Sequence, residues 1–263
     1  MNERIDEVEN FYKPIETCST WAFILFWISA ALSLAALHAD IVKIDGLSPT
    51  LNILFLISAV LHSVLTHFNG FYLIPRAESI RRKQLISNSL DIPLTSEHTH
   101  LYYNNEVAPS FIRLGINVFE NSFFAKNICN EMAKRERIKV LLYFCIWFFA
   151  LLYRETDLGF LLILTQLLFS GDILIRWLKI ELLRVKNESI YEKLYLLFLT
   201  QSDREDINII GGILDAFASY EAAKSAASVK QSTIIFNRMN EKLTSDWDVV
   251  KNRLGIERRY NQT

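Results

Sequence analysis

The chain has 263 residues, of which 51% are hydrophobic and 22% are charged, and its formal net charge is -1. This balance excludes a generally basic nucleic-acid-binding protein, because the chain as a whole would not attract a phosphate backbone. A mean hydropathy of +0.18 beside so many charged residues requires the apolar residues to be concentrated in segments, as in membrane proteins. With only 8 Gly and 5 Pro, the sequence predicts an all-α membrane protein.

The N-terminal part of the chain predicts a short helix followed by a transmembrane hairpin. Residues 1–18 have the spacing of an amphipathic helix, which Pro14 should end. Residues 20–38 and residues 51–68 are two apolar runs without a charged side chain. The short link between them contains Gly46, which is typical of a turn. Each run has the length expected of a membrane-spanning helix.

Residues 69–137 are too many for a plain loop and predict a helical insert. Pro75 occupies a suitable first position for one helix. A connector without periodicity follows, between Pro93 and Pro109. Helical spacing then resumes and runs close to the next apolar segment.

The clearest membrane signal lies in residues 138–177. Two nearly charge-free runs, 138–153 and 158–177, flank the polar tetrad 154–157. Both runs are apolar on all sides, whereas a helix of a soluble protein normally has one apolar stripe. They predict a second transmembrane hairpin, and the remaining residues, 178–263, predict a cytoplasmic helical domain.

The distribution of basic residues predicts the topology. The links within the two hairpins contain one basic residue each, Lys43 and Arg154, whereas about twelve flank the other ends of the spans. Both termini and the insert are therefore expected in the cytoplasm of a multi-pass protein of the bacterial inner membrane. The expected segments are an N-terminal amphipathic segment (1–18), a first transmembrane hairpin (19–68), a cytoplasmic helical insert (69–137), a second transmembrane hairpin (138–177) and a C-terminal cytoplasmic helical domain (178–263).

No catalytic motif accompanies this pattern. A nucleophile elbow, a phosphate-binding glycine loop and an HExxH sequence are all absent. The five histidines have no metal-ligand spacing, and the three cysteines are widely spaced, as expected of reduced structural thiols. We therefore expect a protein that is not an enzyme, with no catalytic residue, cofactor or metal site and no nucleic-acid partner.

Polar side chains inside the predicted spans are the stronger functional indication, because hydrocarbon makes them costly. Ser58 and His62 share one side of the second span, and Gln166 and Asp172 interrupt the fourth. These side chains could line a water-filled path between assembled copies. Alternatively, they could form hydrogen bonds between helices, with Asp172 paired to Arg176 one turn away.

A second group of polar and aromatic residues lies in the insert. Its basic residues could bind an anion, and its aromatic and amide groups could stack on and hydrogen-bond a nucleobase or another small ligand. The predicted ligand-binding residues are Arg81, Arg82, Tyr103, Asn104, Asn105, Glu120 and Asn121. The alternative is a structural role, in which aromatic residues pack, asparagines cap the connector, and basic residues flank a span.

Four apolar runs in two hairpins, with an insert containing YYNNE and ENSFFAKNI, make the chain resemble a class of bacterial anti-phage effectors. These are the four-transmembrane effectors encoded beside SMODS cyclic-nucleotide synthases. The resemblance is architectural and covers most of the chain, and it assigns no ligand site residue by residue. It implies an effector that oligomerises on a signal and breaches the inner membrane, halting growth of an infected cell by abortive infection.

Two functions are consistent with these patterns. The first is an inner-membrane effector that homo-oligomerises in contact with membrane lipid and permeabilises or depolarises the membrane. Its cytoplasmic helices would respond to a cyclic nucleotide, another small signal or a partner sensor protein. The alternative is a non-conducting anchor or scaffold whose cytoplasmic helices dock a partner protein. A membrane-embedded enzyme or transporter is disfavoured, because the second hairpin is short and has few acidic residues.

Overall fold

A computed structural model describes residues 5–43, 46–100, 102–153, 157–169, 173–200 and 206–260. The described chain is almost entirely helical, which confirms the predicted all-α class. The α-helices in chain order are α1 (Lys13–Val42), α2 (Leu47–Phe68), α3 (Ile74–Leu90), α4 (Phe111–Leu152), α5 (Leu158–Phe169), α6 (Leu174–Thr200), α7 (Ile207–Ala227), α8 (Thr233–Leu254) and α9 (Ile256–Tyr260). A π-helical turn, Asn69–Leu73, connects α2 to α3.

The N-terminal segment differs from the expected amphipathic helix. A two-residue strand, β1 (Ile5–Asp6), pairs antiparallel with a second short strand, β2 (Thr99–His100). A 3-10 turn, Glu7–Phe11, follows β1. The expectation that Pro14 ends a helix is wrong, because Pro14 lies in the first turn of α1. The first helical N–H groups have no partner within the helix, so a proline there sacrifices no hydrogen bond.

Contacts between residues divide the chain into two compact units. Unit 1 comprises residues 1–10, 76–134 and 179–263. Unit 2 comprises residues 11–75 and 135–178. Most of the expected insert (69–137) and C-terminal domain (178–263) therefore belongs to unit 1. Unit 2 contains the residues of the two expected hairpins.

Unit 1 has an aromatic core built on the N-terminal half of α4. The ring of the fully buried Phe119 lies 5.0 Å from the rings of Tyr191 and Trp247, and 5.8 Å from that of Phe198. These partners come from α6 and α8. Rings at such separations add favourable edge and stacking contacts to the burial of apolar area. The core therefore joins helices that are distant in the sequence.

Unit 2 contains an antiparallel hairpin of α1 and α2. Helix α1 ends at Val42 and is capped by Lys43 in the left-handed conformation (φ 57°), and α2 begins after Gly46 (φ 75°). Pro49 lies within the first turn of α2. The described hydrogen bonds pair the start of α1 with the end of α2, so the helices run in opposite directions.

Two described helical stretches, Glu7–Val42 and Leu47–Leu90, are long and apolar enough to cross a bilayer by length and composition. The third and fourth predicted spans correspond to shorter described helical segments. Residues 138–152 form the C-terminal part of α4, and α5 has 12 residues. At 1.5 Å per residue these segments measure about 22 Å and about 18 Å. Both lengths are shorter than the hydrocarbon core of a bilayer, which is roughly 30 Å thick.

Candidate functional site

The interface between α1 and α2 is lined by small and polar side chains. We call this interface the hairpin seam. The buried residues of α1 are Ile15, Cys18, Ala22, Ser29, Ala30, Ala36 and Ala39, and those of α2 are Ser48 and Ser58. With the half-buried Leu25 included, the residues from Ile15 to Ser29 follow alternating steps of three and four, as on a coiled-coil face, and Ala36 lies two turns after Ser29. Small side chains at these positions allow the two backbones to approach closely.

Polar groups form hydrogen bonds at successive turns of the hairpin seam. The Nδ1–H of His62 donates to the carbonyl oxygen of Ala22 at 2.8 Å. The Ser58 hydroxyl donates to the carbonyl oxygen of Leu25 at 3.1 Å, and the Ser29 hydroxyl lies 3.0 Å from Ser58 Oγ. The predicted polar residues Ser58 and His62 therefore bind α1 of the same chain. These contacts are the interhelical hydrogen bonds that the sequence offered as one alternative.

The seam continues to the π-helical turn. The Asn69 side-chain amide donates to Ser19 Oγ at 2.8 Å and to the Ile15 carbonyl oxygen at 3.4 Å. The Cys18 thiol lies 3.4 Å from the carbonyl oxygen of Leu65. The first two turns of α1 are thus attached to the end of α2 by side chains that the sequence analysis did not single out.

Large apolar side chains cover the outside of the same hairpin. Trp21 and Phe23 of α1 are 57% and 63% exposed, and Val60 of α2 is 60% exposed. By contrast, Ser58 and Ala36 inside the seam are only 5% and 3% exposed. A protein that folds in water normally shows the opposite arrangement, with large apolar side chains inside. The hairpin thus has small and polar side chains inside and large apolar side chains outside.

Of the two polar residues predicted in the fourth span, Gln166 lies among the described residues and Asp172 does not. Gln166 is exposed on α5, so its amide does not belong to the hairpin seam. Asp172 lies outside the described residues, and so does the expected pairing of Asp172 with Arg176. The Arg176 guanidinium lies 3.6 Å from a carboxylate oxygen of Glu136.

Several of the predicted ligand-binding residues form one polar cluster in unit 1. We call it the connector cluster, and its central residues are Asn104, Glu120 and Lys251. The carboxylate of Glu120 accepts a hydrogen bond from the Asn104 side-chain amide at 2.7 Å and from the Asn104 backbone N–H at 3.2 Å. The ammonium group of Lys251 donates to the Asn104 carbonyl oxygen at 2.5 Å. Asn104 is therefore bound through its side chain, its N–H and its carbonyl group.

Burial governs the electrostatics of the connector cluster. Glu120 is 4% exposed, and its burial raises the pKa of the carboxyl group to about 7, although hydrogen bonds from Asn104 oppose the shift. Burial lowers the pKa of Lys251, but the carboxylates of Asp248 and Glu257 outweigh that effect and leave it raised. Lys251 is thus held as a cation, whereas Glu120 can change its charge near neutral pH.

Asn105 and Asn121 extend the cluster along α4. The Asn105 amide donates to Asn117 Oδ1 at 2.7 Å, and the Asn117 amide donates to Ser89 Oγ at 2.9 Å. The Asn121 amide lies 3.5 Å from the Tyr103 hydroxyl group. Burial, as the largest cause, raises the pKa of Tyr103. The structure therefore brings five of the seven predicted ligand-binding residues together, bonded to one another and to Asn117.

The two predicted arginines have different surroundings. Arg81 forms a bidentate ion pair with Asp6, with N–O distances of 2.9 and 2.8 Å, and its guanidinium carbon lies 4.7 Å from the Tyr102 ring centre. Arg82 is exposed, and its guanidinium lies 3.5 Å from Ser79 Oγ. Arg81 thus attaches the N-terminal strand to α3 and contacts the connector.

Sequence reasoning missed three residues that complete these contacts: Asp6, Asn117 and Lys251. Asn117 could have been found from its position, because it lies one helical turn from Glu120 and Asn121 on α4. Asp6 is 75 residues from Arg81, and Lys251 is 147 residues from Asn104. No local spacing in the sequence indicates such pairs.

No protein-family model, curated protein or solved structure matches the chain. Among the described residues, no group of three or more His, Cys, Asp or Glu side chains could hold a metal ion.

Proposed function

We propose that the protein is a multi-pass membrane effector of the bacterial inner membrane. In this proposal unit 2 is embedded in the bilayer through four helices, and unit 1 and both termini are cytoplasmic. The effector homo-oligomerises and depolarises the membrane in response to a cytoplasmic signal, with anti-phage defence as its biological setting. One observation carries the membrane assignment. Large apolar side chains cover the outside of the α1–α2 hairpin, whereas small and polar side chains lie inside it.

Low burial of the hairpin supports the membrane assignment over that of a core helix of a soluble protein. Only 28% of the most apolar part of Glu7–Val42 and 6% of that of Leu47–Leu90 are buried. Exposure of an apolar surface of this size to water is unfavourable, whereas lipid would cover it. The small residues and hydrogen bonds of the seam are the means by which helices associate in lipid, where apolar side chains provide no driving force.

Gln166 supports the assembly of several copies. It is exposed on α5, a helix that is otherwise formed by apolar residues with Gly159 and Thr165. A primary amide facing hydrocarbon costs free energy unless it finds a hydrogen-bonding partner. The same residue on a neighbouring copy would provide that partner. Gln166 is therefore the side chain we assign to a contact or path between copies.

A non-conducting anchor that docks a partner protein is the second candidate. The hydrogen bonds of Ser58 and His62 within the hairpin favour it, because these side chains have structural partners in one copy. In that case unit 2 would serve only to hold unit 1 at the membrane.

Membrane potential in cells that express the protein separates the two candidates. A voltage-sensitive dye should report depolarisation by the parent protein, alone or on phage challenge. Gln166→Leu should abolish depolarisation at unchanged abundance in the membrane. His62→Leu is the matched control, because it removes a hydrogen bond inside the hairpin and should lower abundance and activity together. If the parent protein is in the membrane and no condition changes the potential, the effector function is wrong and the anchor is favoured.

Topology is tested by labelling single cysteines in intact cells. In a background in which Cys18, Cys129 and Cys145 are replaced by Ser, a membrane-impermeant maleimide should label Lys43→Cys. It should not label Arg82→Cys until the cells are opened. Labelling of Arg82→Cys in intact cells would overturn the cytoplasmic assignment of unit 1.

A further inference from the structure

Helix α6 has a second apolar face, opposite to the face that it buries in the core of unit 1. The buried residues of this helix are Ile180, Leu183, Asn187, Ile190, Leu194 and Phe198. On the other side, exposed residues follow one another at alternating steps of three and four. We call them the α6 stripe: Leu182, Val185, Ser189, Glu192, Leu196 and Leu199. The four apolar side chains of the stripe are between 41% and 57% exposed. A helix that packs on one side needs one apolar face, so the fold of unit 1 does not account for the second.

We propose that the α6 stripe forms a parallel coiled-coil contact with the same stripe of a second copy of this chain. The proposal rests on the homo-oligomer of the proposed function, and it assigns the surface through which copies of unit 1 meet. The spacing of the stripe is that of the a and d positions of a heptad repeat, with Leu182 and Leu196 at a positions and Val185 and Leu199 at d positions. From residue 182 to residue 199 the stripe extends over about 26 Å of helix.

Charged side chains flank the stripe in the order that a second copy requires. Glu181 and Glu188 lie at g positions on one side, and Lys186 and Lys193 lie at e positions on the other. In a parallel pair, a g residue faces the e residue of the following heptad on its partner. Glu181 would therefore face Lys186 of the second copy, and Glu188 would face Lys193. In an antiparallel pair, like charges would meet, because g then faces g and e faces e. The charge pattern thus selects a parallel second copy as the occupant.

The ion pairs that these groups form within one copy are compatible with the contact. Arg184 lies between the two flanking glutamates, with N–O distances of 2.9 Å to Glu181 and 3.0 Å to Glu188. Lys193 pairs with Asp215 of α7. A carboxylate has several acceptor sites, so Glu188 can bind Arg184 and a lysine of the second copy together. Because the core of unit 1 already holds α6 in a helix, association does not have to order it.

Ser189 and Glu192 make the centre of the stripe polar. A side chain at a d position packs beside the e residue that follows it on the partner helix, so Glu192 would lie beside Lys193 of the second copy. Two facing carboxylates at a core position still weaken the contact. The pair should therefore be weaker than a fully apolar coiled coil, which suits copies that assemble on a signal.

Disulfide cross-linking of the full-length protein in membranes tests the contact. In the cysteine-free background described above, Leu182→Cys and Leu199→Cys should each form a covalent dimer on mild oxidation, because equivalent core positions face each other in a parallel pair. Val249→Cys on α8 is the matched control, because Val249 is also exposed and lies outside the stripe, and it should stay monomeric. When the two stripe variants are co-expressed with different tags, disulfides should join like copies. Disulfides between position 182 and position 199 would show an antiparallel pair and overturn the proposal.

Failure of this contact is distinguishable from failure of the proposed function. An amine-reactive cross-linker applied to the parent protein reports oligomers formed through any surface. If it yields oligomers while neither stripe variant forms a disulfide more readily than Val249→Cys, lipid or another protein covers the stripe. The proposed contact is then wrong and the effector function is unaffected. If the cross-linker yields no oligomer under any condition that depolarises the membrane, the contact and the homo-oligomer are both wrong.

Glu192→Leu should strengthen the contact, which a loss of folding could not do. Replacement of this carboxylate by an apolar d residue should raise the association constant in detergent roughly tenfold or more, measured by sedimentation. Glu241→Leu on the exposed surface of α8 is the control and should leave association unchanged. Lys186→Glu should weaken association roughly tenfold, and the addition of Glu181→Lys should restore part of the loss. Unchanged association in Glu192→Leu, or equal strengthening by Glu241→Leu, would overturn the proposal.

Discussion

Gly115 offers a sharp test of the packing of unit 1. A Cβ atom at this position would lie 2.7 Å from Ile213 Cγ1, 2.8 Å from Ile213 Cδ1 and 3.0 Å from Phe198 Cζ. Ile213 and Phe198 are both fully buried, so neither can move into solvent. Replacing glycine with alanine inside a helix stabilises the helix by about 1 kcal/mol. Overpacking of a filled core costs about 1–3 kcal/mol. Gly115→Ala should therefore destabilise unit 1 by about 1 kcal/mol.

Gly211 supplies the matched control for this substitution. It also lies inside a helix, α7, but a Cβ atom there would meet no heavy atom within 4 Å. Gly211→Ala should therefore gain about 0.5–1 kcal/mol of stability from helix propensity alone. The two variants should differ by about 2 kcal/mol, which for a domain of this size separates their Tm values by roughly 4–8 °C.

Trp247 can report the unfolding of unit 1 because it is fully buried in the core. The fluorescence of Trp247 should be followed in a background in which Trp21, Trp27, Trp147 and Trp177 are replaced by Phe. Thermal unfolding of Gly115→Ala, Gly211→Ala and the parent protein in that background then gives the order of stability. If Gly115→Ala melts at or above the parent temperature, the close approach of α4 to Ile213 and Phe198 is wrong.

Two further substitutions test individual contacts. Ser29 and Ser58 should be replaced with Ala singly and together, and unfolding of the variants measured in mixed micelles. The double-mutant cycle should give a coupling free energy of about 0.6 kcal/mol. A coupling of zero would contradict the hydrogen bond between the two side chains. Asp6→Asn leaves the partly buried Arg81 without its carboxylate and should lower the free energy of unfolding by about 1–3 kcal/mol. Faster hydrogen exchange at Thr99, whose strand pairs with Asp6, is the specific sign of that loss, and unchanged exchange there would argue against it.

The sequence predicted the features that depend on local composition. Helical class and the two apolar stretches of the first hairpin followed from hydropathy and from the scarcity of glycine and proline. The role of Pro14 was misjudged because a proline at the start of a helix and a proline that ends one look alike in a single sequence. The small residues from Cys18 to Ala39 are visible in the sequence, but only the structure shows that they are buried and that Cys18, Ala22 and Ser29 contact α2.

The connector cluster shows the limit of such reasoning. The residue types of YYNNE and ENSFF suggested a binding site, and the structure brings Asn104 and Glu120 together. It also shows that these groups bind each other, which composition could not reveal. Lys251, the third member, lies too far along the chain for any helical or strand period to indicate it. Ligand binding at this cluster stays a prediction, and it would require the bonds of Asn104 to open.

The discontinuity of unit 1 has a consequence for the order in which the protein folds during synthesis. The hairpin seam joins residues at most 54 apart, so α1 and α2 can pair as soon as residue 69 is available. The contact of Asn104 with Lys251 must wait for nearly the whole chain. Long-range contacts of this kind form late because a large loop must be closed first. Ribosome-bound chains halted before residue 251 should therefore carry a formed hairpin but a connector that proteases still cleave.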